Sequence, residues 1–160
     1  MLTSRYFKPA RNPEGGTAPP LPLAASASRR VRFNEVDALG VVWHGHYASY
    51  FEDARIAFGD RYGFNYQLMR DSGIAAPVKQ MRVDYEAPLR FGQVCDIMAV
   101  LFWNEAARLN FEYVITGEDS QVYTRGCTVQ LFVTLDGGEL LYAKPDFYEA
   151  FCERWKRGEL

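Results

Sequence analysis

Apolar side chains recur at steps of three and four along one segment of this chain, which is the period of an α-helix. The pattern covers Tyr47–Tyr62 and predicts a helix of about four turns with one buried face. Gly63 follows it, at a position where a left-handed residue commonly ends a helix. Shorter helical patterns at residues 66–70 and 147–155 predict two further helices.

Other segments alternate with a period of two, which predicts strands because successive strand side chains point to opposite faces. A first strand is predicted at residues 30–36, before the long helix. Further strands are predicted after it, at residues 78–88, 94–103, 109–116 and 121–135. This order predicts an α+β fold, with an antiparallel sheet of about five strands wrapped around one long central helix. Because such a sheet has open edges, pairing of two sheets in a dimer is also expected.

The first part of the chain has a different composition. Residues 1–28 are rich in Pro, Gly, Ala and Ser without periodicity, which predicts a flexible or extended N-terminal arm. Residues 29–160 are predicted to form a single domain. No apolar run approaches the roughly 18 residues of a membrane span, and prolines at 19, 20 and 22 argue against a signal peptide. No membrane insertion is therefore expected.

Net charge and cysteine usage narrow the class of protein further. A formal net charge of −2 provides no general attraction for nucleic acid, so none is expected as a partner. The cysteines, Cys95, Cys127 and Cys152, are far apart and do not form a disulfide framework. This usage fits a reducing compartment, and the cytoplasm is the predicted location.

Candidate chemistry is concentrated at residues 37–47, immediately before the long helix. Asp37 could act as a nucleophile or as a general base on water. It could equally form a turn or cap the next element, as Asp often does. His44 could orient water, donate to a carbonyl or hold Asp37, and His46 lies nearer to the helix.

The same segment has two further chemical interpretations. Two histidines and an acid could bind a metal, but no third strong ligand is near them in sequence, so no metal and no cofactor are predicted. The backbone N–H groups at a helix start could stabilise an oxyanion that develops on an ester or a thioester. Gly45 could allow a substrate to approach the backbone closely, or could simply ease the entry into the helix.

Two stretches of the chain resemble a known family. The first contains a D-x-x-G-x-V-x-x-x-x-Y motif from Asp37 to Tyr47, preceded by VRF at residues 31–33 and followed by FEDAR at residues 51–55. The second is VDYEAP at residues 83–88. Together they resemble the hot-dog-fold acyl-CoA thioesterases of the 4-hydroxybenzoyl-CoA thioesterase family, including its Tol-Pal-associated branch.

The resemblance implies roles for particular residues. It implies that Asp37 attacks the thioester carbonyl or activates water, and that His44 positions substrate or water. It also implies that the helix start at Gly45 and Tyr47 polarises the carbonyl oxygen. His44 matches the Tol-Pal branch, whereas Trp43 resembles the branch that acts on aromatic substrates.

The resulting prediction is an enzyme that hydrolyses an acyl-CoA or aroyl-CoA thioester as a homodimer or homotetramer. Trp43, Gly45, His46 and Tyr47 are the predicted oxyanion and substrate-binding residues, and Lys79 and Arg108 are candidates for the CoA phosphates. Two alternatives stay open at this point. One is a hot-dog dehydratase or hydratase that would use Glu52 as its acid, and the other is a non-catalytic acyl-CoA-binding protein.

Overall fold

The structure, a computed structural model, describes residues 3–8 and 18–160 of the chain. The strands are β1 (Leu23–Arg30), β2 (Ile74–Ala75), β3 (Val78–Tyr85), β4 (Val94–Phe102), β5 (Arg108–Gly117), β6 (Val122–Leu131) and β7 (Val133–Thr134). The helices are α1 (Tyr47–Tyr62), α2 (Tyr66–Asp71) and α3 (Asp146–Lys156). The three predicted helices are confirmed, and so are the first three predicted strands after α1, as β3, β4 and β5. The predicted strand at residues 121–135 is divided at residue 132 into β6 and β7, which belong to different sheets.

Five strands form one antiparallel sheet in the order β1-β4-β5-β6-β3, and β2 pairs with β7 in a small separate sheet. The helix α1 packs across one face of the large sheet. Phe51 of α1 stacks on Tyr113 of β5 with ring centroids 4.2 Å apart, and Phe58 meets Phe111 edge-on at 5.1 Å. The predicted α+β architecture, a sheet around one long helix, is confirmed.

Gly126 of β6 sets how closely the helix approaches the sheet. A Cβ atom built at this position would lie 2.6 Å from ring atoms of Phe51 and 2.6 Å from the carbonyl oxygen of Arg82. Both neighbours are confined, one by the core and the other by the backbone of β3. Any side chain at position 126 must therefore push the helix or the neighbouring strand away.

Gly126→Ala is accordingly expected to lower the free energy of unfolding by about 1–3 kcal/mol through overpacking. Chemical denaturation monitored by circular dichroism measures this as a lower midpoint. A midpoint equal to that of the unsubstituted protein would contradict the tight contact between helix and sheet.

The prediction for the first strand is wrong. β1 occupies Leu23–Arg30 and pairs along its whole length with β4, whereas the predicted segment contains a single 3₁₀ turn at Phe33–Glu35. The alternation was misleading because the side chain of Phe33 is 79% exposed while that of Glu35 is buried. The small residues of β1 show little hydrophobic contrast, although Leu23 and Ala25 are buried in the core once the strand has paired with β4 and packed against α1.

This correction moves the boundary of the predicted N-terminal arm. Its residues 23–28 belong to the sheet, and residues 9–17 lie outside the described part of the chain. Residues 3–8 lie on the face of the sheet opposite α1, where the backbone N–H groups of Arg5 and Tyr6 donate to the buried Glu112 of β5 at 3.1 and 2.9 Å. The hydroxyl of Tyr6 donates to Asp84 of β3 at 2.7 Å.

Membrane spanning by a helix finds no support in the described residues. None of their helices combines the length and the apolar character that crossing a bilayer requires.

Candidate active site

Asp37 lies in a tight hairpin that the chain makes between β1 and α1. Val36 and Val42 form an antiparallel bridge, the N–H of Asp37 donates to the carbonyl of Val41 at 2.9 Å, and the N–H of Gly40 donates to the carbonyl of Asp37 at 2.9 Å. Gly40 has a φ of +72°, a conformation that glycine adopts without steric cost. The second arm of the hairpin leads directly to His44, so the structure brings the predicted acid and the helix start into one local unit.

The two oxygens of the Asp37 carboxylate have different surroundings. Oδ1 accepts the N–H of Leu39 at 2.8 Å and, at a longer 3.5 Å, that of Val41. All hydrogen bonds that Asp37 accepts through its side chain within the described residues go to Oδ1, while Oδ2 takes none. The turn-forming and the catalytic interpretations of Asp37 are therefore compatible, because one oxygen orients the carboxylate and the other can face a reactant.

The start of α1 supplies backbone donors. His44–His46 forms one 3₁₀ turn that leads into Tyr47, and the N–H of His46 is satisfied by the carbonyl of Trp43 at 2.9 Å. The N–H groups of His44 and Gly45 have no acceptor among the described residues. Free N–H groups at a helix start carry partial positive charge, so they can stabilise an anion that binds against them.

Trp43 explains why position 45 is a glycine. The indole ring of Trp43 lies against Gly45, and a Cβ atom at this position would overlap its six-membered ring. The same indole is 4.7 Å from the ring of His44 and 5.6 Å from that of His46, measured between centroids. Trp43 is about half exposed, at 48%, so it also presents an aromatic surface next to the turn.

Tyr47 and Tyr85 pack against each other next to the turn at residues 44–46. Tyr47 is buried in the core and meets Tyr85 edge-on at 5.0 Å, so only its backbone can face a substrate. Burial raises the pKa of the Tyr47 hydroxyl, which is therefore a neutral group at physiological pH. Tyr85 donates from its hydroxyl to the carbonyl of His44 at 2.9 Å. Tyr85 was not identified as a positioning residue from the sequence. The only indication was that it lies in the second stretch that resembles the thioesterase family, residues 83–88.

A buried charge network behind the hairpin was also missed from the sequence. Glu35 is 4% exposed, forms an ion pair with Arg29, and accepts a hydrogen bond from the Tyr50 hydroxyl at 3.0 Å. Arg29 pairs with Asp53 of α1 as well, and its guanidinium lies 4.2 Å from the centroid of the Tyr50 ring. The carbonyl of Glu35 accepts the N–H of Trp43 at 2.9 Å. The network thereby connects β1, the hairpin and α1.

The pKa of Glu35 reflects this environment. Burial alone would raise it, but hydrogen bonds from the Arg32 N–H and the Tyr50 hydroxyl, together with Arg29, outweigh burial and hold the pKa of the carboxyl below its usual value. Glu35 is therefore an ionised structural group, and the carboxylate that faces outward is that of Asp37.

The structure does not bring the candidate CoA-binding residues to the turn within one chain. Lys79 lies near the Val78 end of β3, which pairs with Gln130 of β6. Arg108 begins β5 and pairs with Leu131, so it lies at the same end of the sheet. The turn adjoins the opposite end of β3, at Tyr85. The two ends are separated by about 23 Å at 3.3 Å per residue. Glu52 of α1, the acid required by the dehydratase alternative, is exposed.

Other cations lie much nearer to the hairpin. A shallow groove beside it is lined by Arg30, Arg32, Phe33 and Phe91. The two phenylalanines form an edge-on pair at 5.9 Å, with exposures of 79% and 59%. Sequence reasoning missed this groove because its members come from two segments about 60 residues apart. Within the described residues, no group of three or more His, Cys, Asp or Glu side chains is arranged to hold a metal ion.

Comparison with known proteins assigns this fold and site to a class. The chain matches the Thioesterase-like superfamily over residues 31–153, and it belongs to that family. The fold is the hot-dog fold: DHNA-CoA thioesterase from Staphylococcus aureus superposes with a TM-score of 0.76 at 25% identity, over 85% of this chain and 93% of that one.

Two relatives add sequence similarity. A protein from Aquifex aeolicus (strain VF5) that has been assigned as an esterase is 34% identical over 105 residues, which cover 64% of this chain and 82% of the relative. The acyl-CoA thioester hydrolase YbgC of Escherichia coli O6:H1 is 34% identical over 68 residues, or 42% of this chain. That match spans about half, 51%, of YbgC. The predicted class of enzyme, an acyl-CoA thioesterase, is confirmed by these similarities.

Proposed function

We propose that this protein hydrolyses an acyl-CoA or aroyl-CoA thioester to the free acid and CoA, with Asp37 as nucleophile or general base. The observation that carries the proposal is the geometry of the hairpin. Oδ1 of Asp37 is held by the N–H of Leu39 at 2.8 Å, and Oδ2 stays available on the structural unit that also carries the free N–H groups of His44 and Gly45. A carbonyl between them would meet an attacking group and an oxyanion site together.

Two balanced routes use this arrangement. In the first, Asp37 takes a proton from water while the resulting hydroxide adds to the carbonyl carbon, and the negative charge moves to the carbonyl oxygen. Collapse of this intermediate breaks the C–S bond, and the leaving thiolate receives the proton. In the second, Oδ2 itself adds to the carbonyl and displaces the thiolate, and water then hydrolyses the mixed anhydride. Both routes regenerate the Asp37 carboxylate.

The aromatic side chains of the turn have supporting roles in the proposal. His44 is exposed beside the indole of Trp43, where its imidazole can donate to or accept from a bound reactant or water. Trp43 offers an apolar surface for the acyl group. His46 meets the same indole edge-on at 5.6 Å, so its proposed contribution is to hold that ring.

We also propose that two or four copies of this chain assemble through β3. This strand is an edge of the large sheet, and its side chains are mostly exposed, including Val78, Met81 and Tyr85. Antiparallel pairing of two β3 edges about a twofold axis would satisfy the unpaired backbone N–H and C=O groups along this edge. It would also place the Val78 end of one copy, with Lys79, beside the turn of the other.

The cytoplasm is the proposed compartment, supported by the free thiols of all cysteines.

The groove beside the hairpin is the proposed place for the nucleotide end of CoA. Arg30 and Arg32 can meet phosphates, and the exposed Phe33 and Phe91 offer a surface on which an adenine can stack. This groove adjoins the Asp37 hairpin in the same chain, which favours it over Arg108 for that role.

Arg32→Ala is expected to raise the KM for a CoA thioester about 2–5-fold with little change in kcat, since one solvent-exposed charge contributes up to about 1 kcal/mol. The matching N-acetylcysteamine thioester lacks the nucleotide, so its KM should not change. Steady-state kinetics with both substrates measure the difference, with Arg70→Ala on α2 as the control. An equal effect on both substrates would remove Arg32 from the CoA site.

The function itself is tested with a panel of short-chain, long-chain and aromatic CoA thioesters, read by release of free thiol. Hydrolysis of at least one class, lost in Asp37→Asn, is the expected result. Enoyl-CoA hydration is assayed alongside. Hydration without thiol release would show a hydratase, whereas tight binding without either reaction would show an acyl-CoA-binding protein.

A further inference from the structure

A second cavity lies away from the hairpin, between the later turns of α1, the helix α2 and the strands β5 and β6. It has a volume of about 260 Å³, and its walls are largely apolar, with Phe58, Phe64, Met69 and Phe111 among them. The polar part of the lining consists of Arg55 and Gln130 together with Asp60, Asn65, Tyr66 and Gln67. Arg55 follows the start of α1 by eight residues, about 12 Å along the helix axis. The proposed thioester hydrolysis at Asp37 uses none of these groups.

Arg55 brings a positive charge to this cavity, and Asp60, the carboxylate in the lining, forms no ion pair with it. Its Nη1 donates to the hydroxyl of Tyr113 at 3.0 Å, and that hydroxyl shares a second hydrogen bond with Thr128 at 2.8 Å. Its Nε is buried without an acceptor among the described residues, and none of their carboxylates forms an ion pair with it. A guanidinium stays charged at any physiological pH, and buried charges are ordinarily paired. Arg55 therefore has unused capacity to bind an anion.

Gln130 supplies a second, independent unsatisfied group. The side chain is 4% exposed, and its Nε2 donates to the carbonyl of Ala76, which fixes the orientation of the amide. Its Oε1 is then left buried with no donor among the described residues. A buried acceptor without a partner costs free energy that a ligand can recover by donating to it. Water alone could satisfy Gln130 but would not neutralise Arg55.

From these observations we propose that the cavity binds a small carboxylate with an apolar body, ion-paired with Arg55. A hydroxyl group on the same ligand would donate to Oε1 of Gln130, so an apolar hydroxy acid fits best. Two sources share this chemistry. One is a free acid, such as the product class of the proposed hydrolysis, and the other is a carboxylate at the far end of the acyl group itself. Only the second source rests on the proposed function.

Binding of free acids is measured by isothermal titration calorimetry with the three hydroxybenzoate isomers, benzoate and benzamide. At least one hydroxybenzoate is expected to bind more tightly than benzoate, and benzamide, which has no charge, should bind at least about tenfold more weakly than benzoate. Arg55→Met should weaken carboxylate binding at least about tenfold, and Gln130→Leu should abolish the advantage of the hydroxyl. Arg55→Lys is the second variant if the methionine variant does not fold: it keeps the charge and should keep the preference for benzoate over benzamide, and loss of that preference would contradict the ion pair. Arg61→Met on the same helix is the matched control.

Two comparisons separate this cavity from the hairpin. Binding that persists in Asp37→Asn and disappears in Arg55→Met places the acid in the cavity, whereas the reverse pattern would overturn the proposal. The acyl source is tested by comparing kcat/KM for an acyl-CoA with that for its ω-carboxyl counterpart of equal length. A preference for the ω-carboxyl substrate that is lost in Arg55→Met supports this source.

The outcomes stay distinct from those of the proposed function. Hydrolysis of an acyl-CoA whose acyl group carries no ω-carboxylate, measured in the unsubstituted protein, tests the Asp37 site alone. If neither free carboxylates nor ω-carboxyl thioesters show any dependence on Arg55, the cavity proposal is wrong whatever the result at Asp37.

Discussion

Asp37→Asn is expected to lower kcat for thioester hydrolysis by about 10²–10⁴-fold while leaving the fold intact. Asparagine keeps the shape of the side chain and an oxygen that can accept the N–H of Leu39, the 2.8 Å hydrogen bond that orients the group. It loses the negative charge and the basicity that both proposed routes require. Free-thiol release under saturating substrate measures kcat, and circular dichroism verifies the fold.

A matched control is available on another turn. Asp136 is an exposed aspartate in the turn after β7, and Asp136→Asn should leave kcat unchanged. Hydrolysis by Asp37→Asn within about threefold of the unsubstituted rate would exclude Asp37 as nucleophile and as base. The free N–H groups of His44 and Gly45 would then have to act with a different attacking group.

The second large effect is expected on stability. Glu35→Ala should lower the free energy of unfolding by about 3–5 kcal/mol, because it leaves Arg29 partly uncompensated and the Tyr50 hydroxyl without its acceptor. Denaturant unfolding measures the loss. Glu153→Ala is the contrasting variant, since its ion pair with Lys156 at 3.0 Å is exposed and should contribute less than about 0.5 kcal/mol. Equal losses in the two variants would contradict the structural role of the buried network.

The same carboxylate predicts a pH dependence. Its pKa in the folded protein lies below the usual value of about 4.3, because the hydrogen bonds and Arg29 outweigh burial. Stability from this group is therefore fully present above the unfolded-state pKa and is lost as the pH falls through the folded-state pKa. Unfolding measured from pH 7 down to pH 3 should lose stability more steeply in the unsubstituted protein than in Glu35→Gln. Parallel curves would contradict the lowered pKa.

Helical periodicity was reliable in this chain because it is a local property. The apolar stripe of α1 and the left-handed residue after it, Gly63 with a φ of +66°, gave the bounds of the helix correctly. The strands β3, β4, β5 and β6 were also found, since each has enough apolar or β-branched residues to show its own pattern. β1 was missed because it consists largely of Ala and Ser, which pair well without hydrophobic contrast.

The grouping of candidate site residues could be predicted where their partners are close in sequence, and was missed where their partners are distant. Asp37, Trp43 and His44 fall within eight residues, so the hairpin that unites them could be anticipated from sequence. Glu35 read as a strand residue, and its ion pair with Arg29 depends on the position of β1. Lys79 was chosen only for its charge, and charge alone carries no information about the end of a strand on which a residue lies.

The sequence by itself therefore determined the α+β order, the central helix and the turn that carries Asp37, because each depends on residues that are close in the chain. Tertiary structure alone decided that the hydroxyl of Tyr85 donates to the carbonyl of His44, since these residues are 41 positions apart and meet only where β3 reaches the turn. It also decided the grouping of Arg55 with Gln130, which are 75 residues apart and meet only where α1 packs on the sheet. Hydrogen bonds and ion pairs act over a few ångströms, so long-range partners become visible only after the chain has folded.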